Sequence, residues 1–272
     1  MKRVKERLAD LEQMAKRVDE EGSIYETDPD ARLMRSNNGG GDINYNIQIA
    51  VENISHLVVA TDANSKPTDF QQLYGIASKA ELQVDELKVV ADKGYYSGEE
   101  FIKCEQDSIV PIVPKAEKRN KQTANYVKFK FIYNKEKDIY ICPQGHELCR
   151  YKTRRTDSED IRYSNRKACM VCPVKDLCTP HKYGRTITRK SFDDINDEID
   201  ERVKQNKDLI KSRKCLVEHP FGTIKRSLGF TYFLTRGSES VQAENCMHFL
   251  IYNIKRAINI MGTERLIQGL RA

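Results

Sequence analysis

Short apolar runs alternate with long charged stretches along this chain, and the spacing of the apolar positions predicts most of its elements. Val4, Leu8, Leu11, Ala15 and Val18 share one face of a helix over residues 1–21, which Gly22-Ser23 ends. Its expected role is packing or a short coiled coil. Thr27-Asp28-Pro29-Asp30 has turn chemistry, and Gly39-Gly40-Gly41 reads as a flexible stretch. Residues 45–51 alternate, with Tyr45, Ile47, Ile49 and Val51 on one face, and residues 56–61 form a β-branched run; together they predict a hairpin. Pro67-Thr68-Asp69 then opens a predicted helix whose apolar positions are Phe70, Leu73, Ile76, Ala77 and Leu82.

The next run, Val89-Val90-Ala91, ends on Asp92 and is followed by Lys93-Gly94-Tyr95-Tyr96. It is β-branched, too short for a helix and closed by turn residues, so it predicts a buried strand with a carboxylate at its carboxyl end. Ligands and metals bind at that rim in open α/β sheets, whereas a plainer role for Asp92 is to cap the next turn. A short helix through Phe101, Ile102 and Cys104 and a strand over residues 109–113 follow. Further on, residues 129–133 and 138–142 predict another hairpin. Residues 192 onward turn acidic and helical, read as a solvated face. A helix from about Asp208 to about Arg226 carries Glu218, and Pro220 should kink it or begin a new one. Residues 238–261 predict a long final helix with Val241, Cys246, Phe249, Leu250, Ile254, Ile258 and Met261 as core.

Charge changes this picture in one place. The whole chain carries only +6, but residues 115–190 hold 20 Lys and Arg against 8 Asp and Glu, a surplus of 12 positive charges. One basic block in an otherwise acidic chain points to a polyanionic partner. The mean hydropathy is −0.66, and no apolar run approaches membrane length, so no membrane partner is expected. The charged start, Met1-Lys2-Arg3, is not expected to be a leader.

Eight cysteines without an export signal favour metal or free thiols over disulfides. Cys142, Cys169, Cys172 and Cys178 are the preferred ligands of a zinc site, with Cys149 and His146 as substitutes; reduced structural thiols are the other account. Cys104, Cys215 and Cys246 sit in apolar patterns and are expected in the core.

Asp92 in "VVADKGYYS" and Glu218 in "RKCLVEHPFGTIKR" resemble the second and third acids of the DDE transposases of bacterial insertion sequences, in the group with a Tyr/Arg/Glu/Lys signature. The resemblance extends to "TDPDARLM" from Thr27, "YNIQIAVEN" from Tyr45 and "FLTRG" from Phe233. Lys214 stands where the signature has arginine, and Lys211 where it has tyrosine. Similar cysteines occur in related transposases, in an insertion between the second and third acids. The resemblance implies an α/β fold: a ribonuclease H-like mixed sheet with flanking helices. That sheet lacks its first strand and is interrupted by a small β-rich insertion. The expected layout is an N-terminal helix over 1–26, the first part of the core over 27–114, the basic cysteine-rich insertion over 115–190, and the second part of the core over 191–272.

What the resemblance implies for function is binding of DNA at the terminal repeats of an element, and transfer of its strands. Asp92 and Glu218 would be close together and would hold Mg2+ or Mn2+ in a two-metal site. Lys93, Lys214, Lys225 and Arg236 are candidate DNA contacts, and Glu218 and Lys225, seven residues apart, would share a helix face. A homo-oligomer and a cytoplasmic location, at the nucleoid when DNA-bound, are further expectations. The family's first aspartate, in an Asp-Gly-Thr context, has no counterpart before Thr27; Asp62 and Asp69 are the substitutes. The chain is therefore expected to be the C-terminal part of a longer transposase. On that expectation it binds DNA without cutting it, and a catalytically inactive remnant is the alternative function.

Overall fold

The computed structural model describes residues 2–35, 40–80, 86–115, 126–151 and 160–271. The chain forms two compact units: Met1–Pro114 together with Ile199–Ala272, and Lys115–Glu198. The architecture is mixed α/β, as expected.

The first unit begins with helix α1 (Lys2–Glu21), whose apolar stripe is largely open to solvent: Val4 is 71% and Leu8 57% exposed. Two short strands follow, β1 (Arg32–Arg35) and β2 (Gly41–Asn44), paired antiparallel. Gly41, expected in a flexible stretch, is thus inside a strand; Gly39 lies outside the described residues. The predicted hairpin is β3 (Asn46–Val51) and β4 (Val58–Asn64).

Helix α2 (Leu73–Ser78) is shorter than its pattern predicts. Gln71 has φ +59°, a left-handed conformation that no α-helix can contain, so the helix starts only after it. Leu82, assigned to this helix from sequence, lies outside the described residues. Strand β5 (Leu87–Val90), helix α3 (Gly98–Gln106) and strand β6 (Ile109–Ile112) form a strand–helix–strand unit with the two strands parallel. Cys104 and Phe101 are fully buried beneath it.

Among the described residues these strands make separate two-stranded ladders, not one mixed sheet. An antiparallel hairpin and a parallel pair merge only when a strand bonded on both sides joins them, and no described strand does so.

The second unit is a five-stranded antiparallel meander. Its strands are β7 (Ile132–Asn134), β8 (Ile139–Ile141), β9 (Glu147–Tyr151), β10 (Ile161–Ser164) and, after two short helices, β11 (Thr186–Arg189). The helices are α4 (Arg166–Met170) and α5 (Lys175–Cys178). The core is compact and aromatic: Phe131, Tyr140, Leu148, Tyr163 and Ile187. Arg189, 6% exposed as a side chain, does not serve the basic surface. It donates to Asp194, to Asp197 at 2.9 Å and to the Tyr140 hydroxyl at 2.9 Å, and lies 3.7 Å over the Tyr133 ring.

Helix α6 (Asp193–Gln205) carries the chain back, and α7 (Lys207–Gly222) follows. The helix runs through Pro220 rather than restarting there. It then loosens into a π turn over Thr223–Ser227, closed by Leu228 N–H donating to the Thr223 carbonyl at 3.1 Å. Lys225 lies in that turn, beyond the regular α-helix that carries Glu218.

Helix α8 (Ser238–Met261) has the predicted bounds, and α9 (Thr263–Arg271) extends it. Its buried face differs from the predicted one. Val241 and Phe249 are buried, but Cys246, Leu250 (58%), Ile254 (46%) and Met261 (43%) are exposed, as is Cys215 on α7. Polar Asn245 and His248 are buried instead. The reason is that α8 packs along β4 and hydrogen-bonds its backbone. Asn253 accepts from Val58 N–H and donates to the Val58 carbonyl, both at 2.8 Å, so its amide acts as a neighbouring strand would. Gln242 treats Ala63 N–H and the Thr61 carbonyl likewise. Burying these amides is favourable because each finds both partners.

Candidate active site

The parallel pair β5–β6 delivers Asp92 to its carboxyl end. Ala91 is buried and its N–H still donates to the Ile112 carbonyl at 3.3 Å. One residue later Asp92 is exposed, and its carboxylate accepts from Lys93 N–H at 2.6 Å, capping a 3-10 turn over Lys93–Tyr95. The plainer reading, a turn cap, is what the geometry shows, with the acid standing at the strand rim.

The turn is held from the other side by the hairpin. The half-buried Tyr95 hydroxyl donates to the Gln48 side-chain oxygen, and Gln48 is only 2% exposed. Burial raises the Tyr95 phenol's pKa, nearby Asp69 adds to that, and Arg213 opposes it, so the phenol stays protonated. Asp69 accepts through one oxygen from Asn46 at 3.1 Å and from Gln48 at 2.8 Å. Its other oxygen would lie 3.3 Å from a Cβ at Gly94, so this glycine lets the turn approach the acid. Asp62 is committed differently. Burial alone would raise its carboxyl, but bonds from Asn64 and Lys79 outweigh it and hold the pKa below the usual range.

Glu218 is exposed on α7 and pairs with Lys214 one turn earlier, at 3.9 Å. The helix packs against β3 and β5, the strands that carry Gln48 and lead to Asp92. From this helix Arg213 acts electrostatically on Tyr95. Lys93 and Arg236 are exposed; Lys225 is exposed and sits 6.0 Å over the Phe221 ring. Among the described residues no group of three or more His, Cys, Asp or Glu side chains is gathered closely enough to hold a metal ion.

Two features escaped the sequence reading. The Asn46–Gln48–Asp69–Tyr95 network joins polar residues in three separate segments, and the only signal for it was the run of polar side chains at alternate positions of β3. Near it, a cavity of about 350 Å³ is walled by Tyr45, Phe230, Phe233 and His248, with Lys225 also lining it. His248 is stacked on Phe230 at 4.1 Å, and burial lowers its pKa, so it stays neutral near pH 7.

In the second unit Cys142, Cys169, Cys172 and Cys178 line one small cavity together with His146 and Arg185. Cys149 is exposed and faces elsewhere on β9.

No helix among the described residues is long and apolar enough to cross a membrane. Residues 141–258 match the family model described as "Transposase DDE domain". No curated protein and no solved structure matches the chain.

Proposed function

From the match of residues 141–258 to the transposase DDE domain family, we propose that this protein acts in the transposition of an insertion sequence. It binds DNA at the ends of its element and takes part in metal-dependent cleavage and transfer of DNA strands. The observation that carries the reading is the family match itself, which covers Glu218 and the basic unit from residue 141 onward; Asp92 lies outside it. Transposase DDE domains generally use divalent metals such as Mg2+. When bound, such ions activate the attacking oxygen and stabilise the leaving one at phosphorus.

Hard cations need oxygen ligands, and the exposed carboxylates of Asp92 and Glu218 are of that kind. Glu218 would leave its long contact with Lys214, which at an exposed position costs little. Asp69 is the third carboxylate in this reading, in preference to Asp62. It is fixed by two amides beside the Asp92 turn, whereas Asp62 is tied to Lys79. The Tyr95–Gln48 bond then keeps the Asp92 turn and Asp69 in register. Lys93, Lys214, Lys225 and Arg236 neutralise phosphates, as does the basic second unit, so affinity would fall with salt. A ribonuclease H-like arrangement is the fold this reading implies, and a parallel pair beside a hairpin is compatible with it.

The test is strand cleavage with Mg2+ or Mn2+ on DNA carrying the element's own ends. Cleavage by the wild type that is lost in Asp92→Ala and in Glu218→Ala is expected. Cleavage that survives both, or no cleavage by the wild type, would overturn the catalytic reading.

A further inference from the structure

The four cysteines of the second unit come from three places. Cys142 directly follows β8, in a tight turn where its N–H donates to the His146 carbonyl at 2.9 Å and its carbonyl accepts from Gly145 N–H at 2.8 Å. Cys169 lies on α4 and Cys172 just beyond it, with Cys172 N–H donating to the Cys169 carbonyl at 3.4 Å. Cys178 ends α5. All four line the same small cavity, about 30 Å³. Cys142 and Cys178 also pack against the aromatic core of the sheet.

Three further observations converge on this cavity. Neither α4 nor α5 buries a single residue, and Val171 (83%) and Leu177 (59%) point to solvent. Apart from the partly buried Cys178, little apolar packing holds this segment to the sheet. The Nε of Arg185, which lines the cavity, is buried without a hydrogen-bond partner. A buried donor of this kind is costly unless an acceptor arrives, and a thiolate sulfur is one. Finally, Gly184 has φ +94°, and a Cβ there would press on the Cys169 side chain, 2.9 Å from Sγ. The backbone is brought hard against this cysteine.

We propose that Cys142, Cys169, Cys172 and Cys178 bind one Zn2+ ion as a tetrathiolate, fastening the α4–α5 segment to the five-stranded sheet. Four thiols release their protons to solvent as four Zn–S bonds form, leaving a site of net charge −2 that Arg185 and Lys175 face. Zn–S bonds of about 2.3 Å bring the sulfurs to about 4 Å from one another. As the sulfurs stand they are not gathered that closely, so binding draws α4 and α5 inward, a movement that segments without a buried core permit. The proposal does not depend on the catalytic reading, because zinc content is measured without DNA.

The experiment is metal analysis of the full chain, purified reduced and exposed to stoichiometric Zn2+, with Co2+ substitution as the second readout. The wild type should retain one zinc per chain, and its Co2+ form should show the intense visible bands and sulfur-to-metal charge transfer of a tetrahedral thiolate site. Cys142→Ser and Cys172→Ser should fall to background, while Cys149→Ser and Cys215→Ser keep full zinc. Wild type without zinc, zinc retained in full by both Cys142→Ser and Cys172→Ser, or a weak octahedral Co2+ spectrum would each overturn the proposal. The wild-type spectrum decides the question even if the variants fail to fold.

Discussion

Tyr45 donates its phenol to Asp28, 3.0 Å from each carboxylate oxygen, and so ties the hairpin to a turn 17 residues earlier. Gly237 N–H reaches the same carboxylate at 3.3 Å, and Ser238 N–H reaches Asp30 at 3.0 Å. Three segments far apart in the chain, those beginning at Thr27, Tyr45 and Phe233, are thus one knot beneath the start of α8. Tyr45 is 8% exposed and packs with Ala31, Ala63 and Val241. Tyr45→Phe keeps the packing and removes the bond. We expect a loss of about 1–2 kcal/mol and a melting temperature lower by roughly 2–6 °C, read by thermal unfolding.

Asp30 makes the same knot sensitive to acid. The backbone N–H of Ser238 is the main cause that holds its carboxyl below the usual 3.8; burial opposes this and Arg17 adds to it. A depressed folded value means that the unfolded chain takes up the proton first. The stabilisation is therefore complete above about pH 3.8 and is lost as pH falls through the lower folded value. Asp30→Asn should be less stable than wild type at neutral pH, and the gap should close below that pH. Denaturant unfolding across pH checks it; a gap that widens in acid would refute it.

Arg189 anchors the second unit from inside. Arg189→Met removes bonds to Tyr140, Asp194 and Asp197 and the contact over Tyr133. Because both acids are exposed and can be rehydrated, the expected cost is about 2–4 kcal/mol, not more. Arg189→Lys should recover little, since an ammonium cannot make three divergent bonds while lying flat on a ring. Urea unfolding of the three proteins measures this.

DNA affinity should fall linearly in log–log form with salt. Lys93→Ala and Lys225→Ala should each shrink the magnitude of that slope by about 1, with similar loss on every DNA sequence. An unchanged slope, read by fluorescence anisotropy, would remove the residue from the interface.

Where one period governed the chain, the sequence was legible. The β3–β4 hairpin, the β5–α3–β6 unit and the bounds of α8 follow from apolar spacing and turn residues, and Asp92 was placed at its strand end. What escaped has physical reasons. The helix after Asp69 is cut short by the left-handed Gln71, whose conformation a glutamine does not advertise. The inner face of α8 carries Asn253 and Gln242, which pair with strand backbone, and Asn245, which donates to the Thr61 hydroxyl, and apolar periodicity cannot see such amides. Cys246 on the same helix and Cys215 on α7 sit in apolar patterns and are exposed. Glu218 was placed on its helix, but the π turn beyond Gly222, in which Lys225 lies, has no signature in the apolar spacing. Asp69 was one of two substitutes in the sequence, and its bonds from Asn46 and Gln48 of β3 were not legible there.

The central claim, that Asp92 and Glu218 hold a divalent ion together, is tested most directly by Mn2+ binding followed by electron paramagnetic resonance on the full chain without DNA. The wild type should immobilise Mn2+. Asp92→Asn and Glu218→Gln should each lose that binding while keeping wild-type thermal unfolding, and Lys93→Ala should retain it. Mn2+ bound with unchanged affinity in both carboxylate variants would contradict the account.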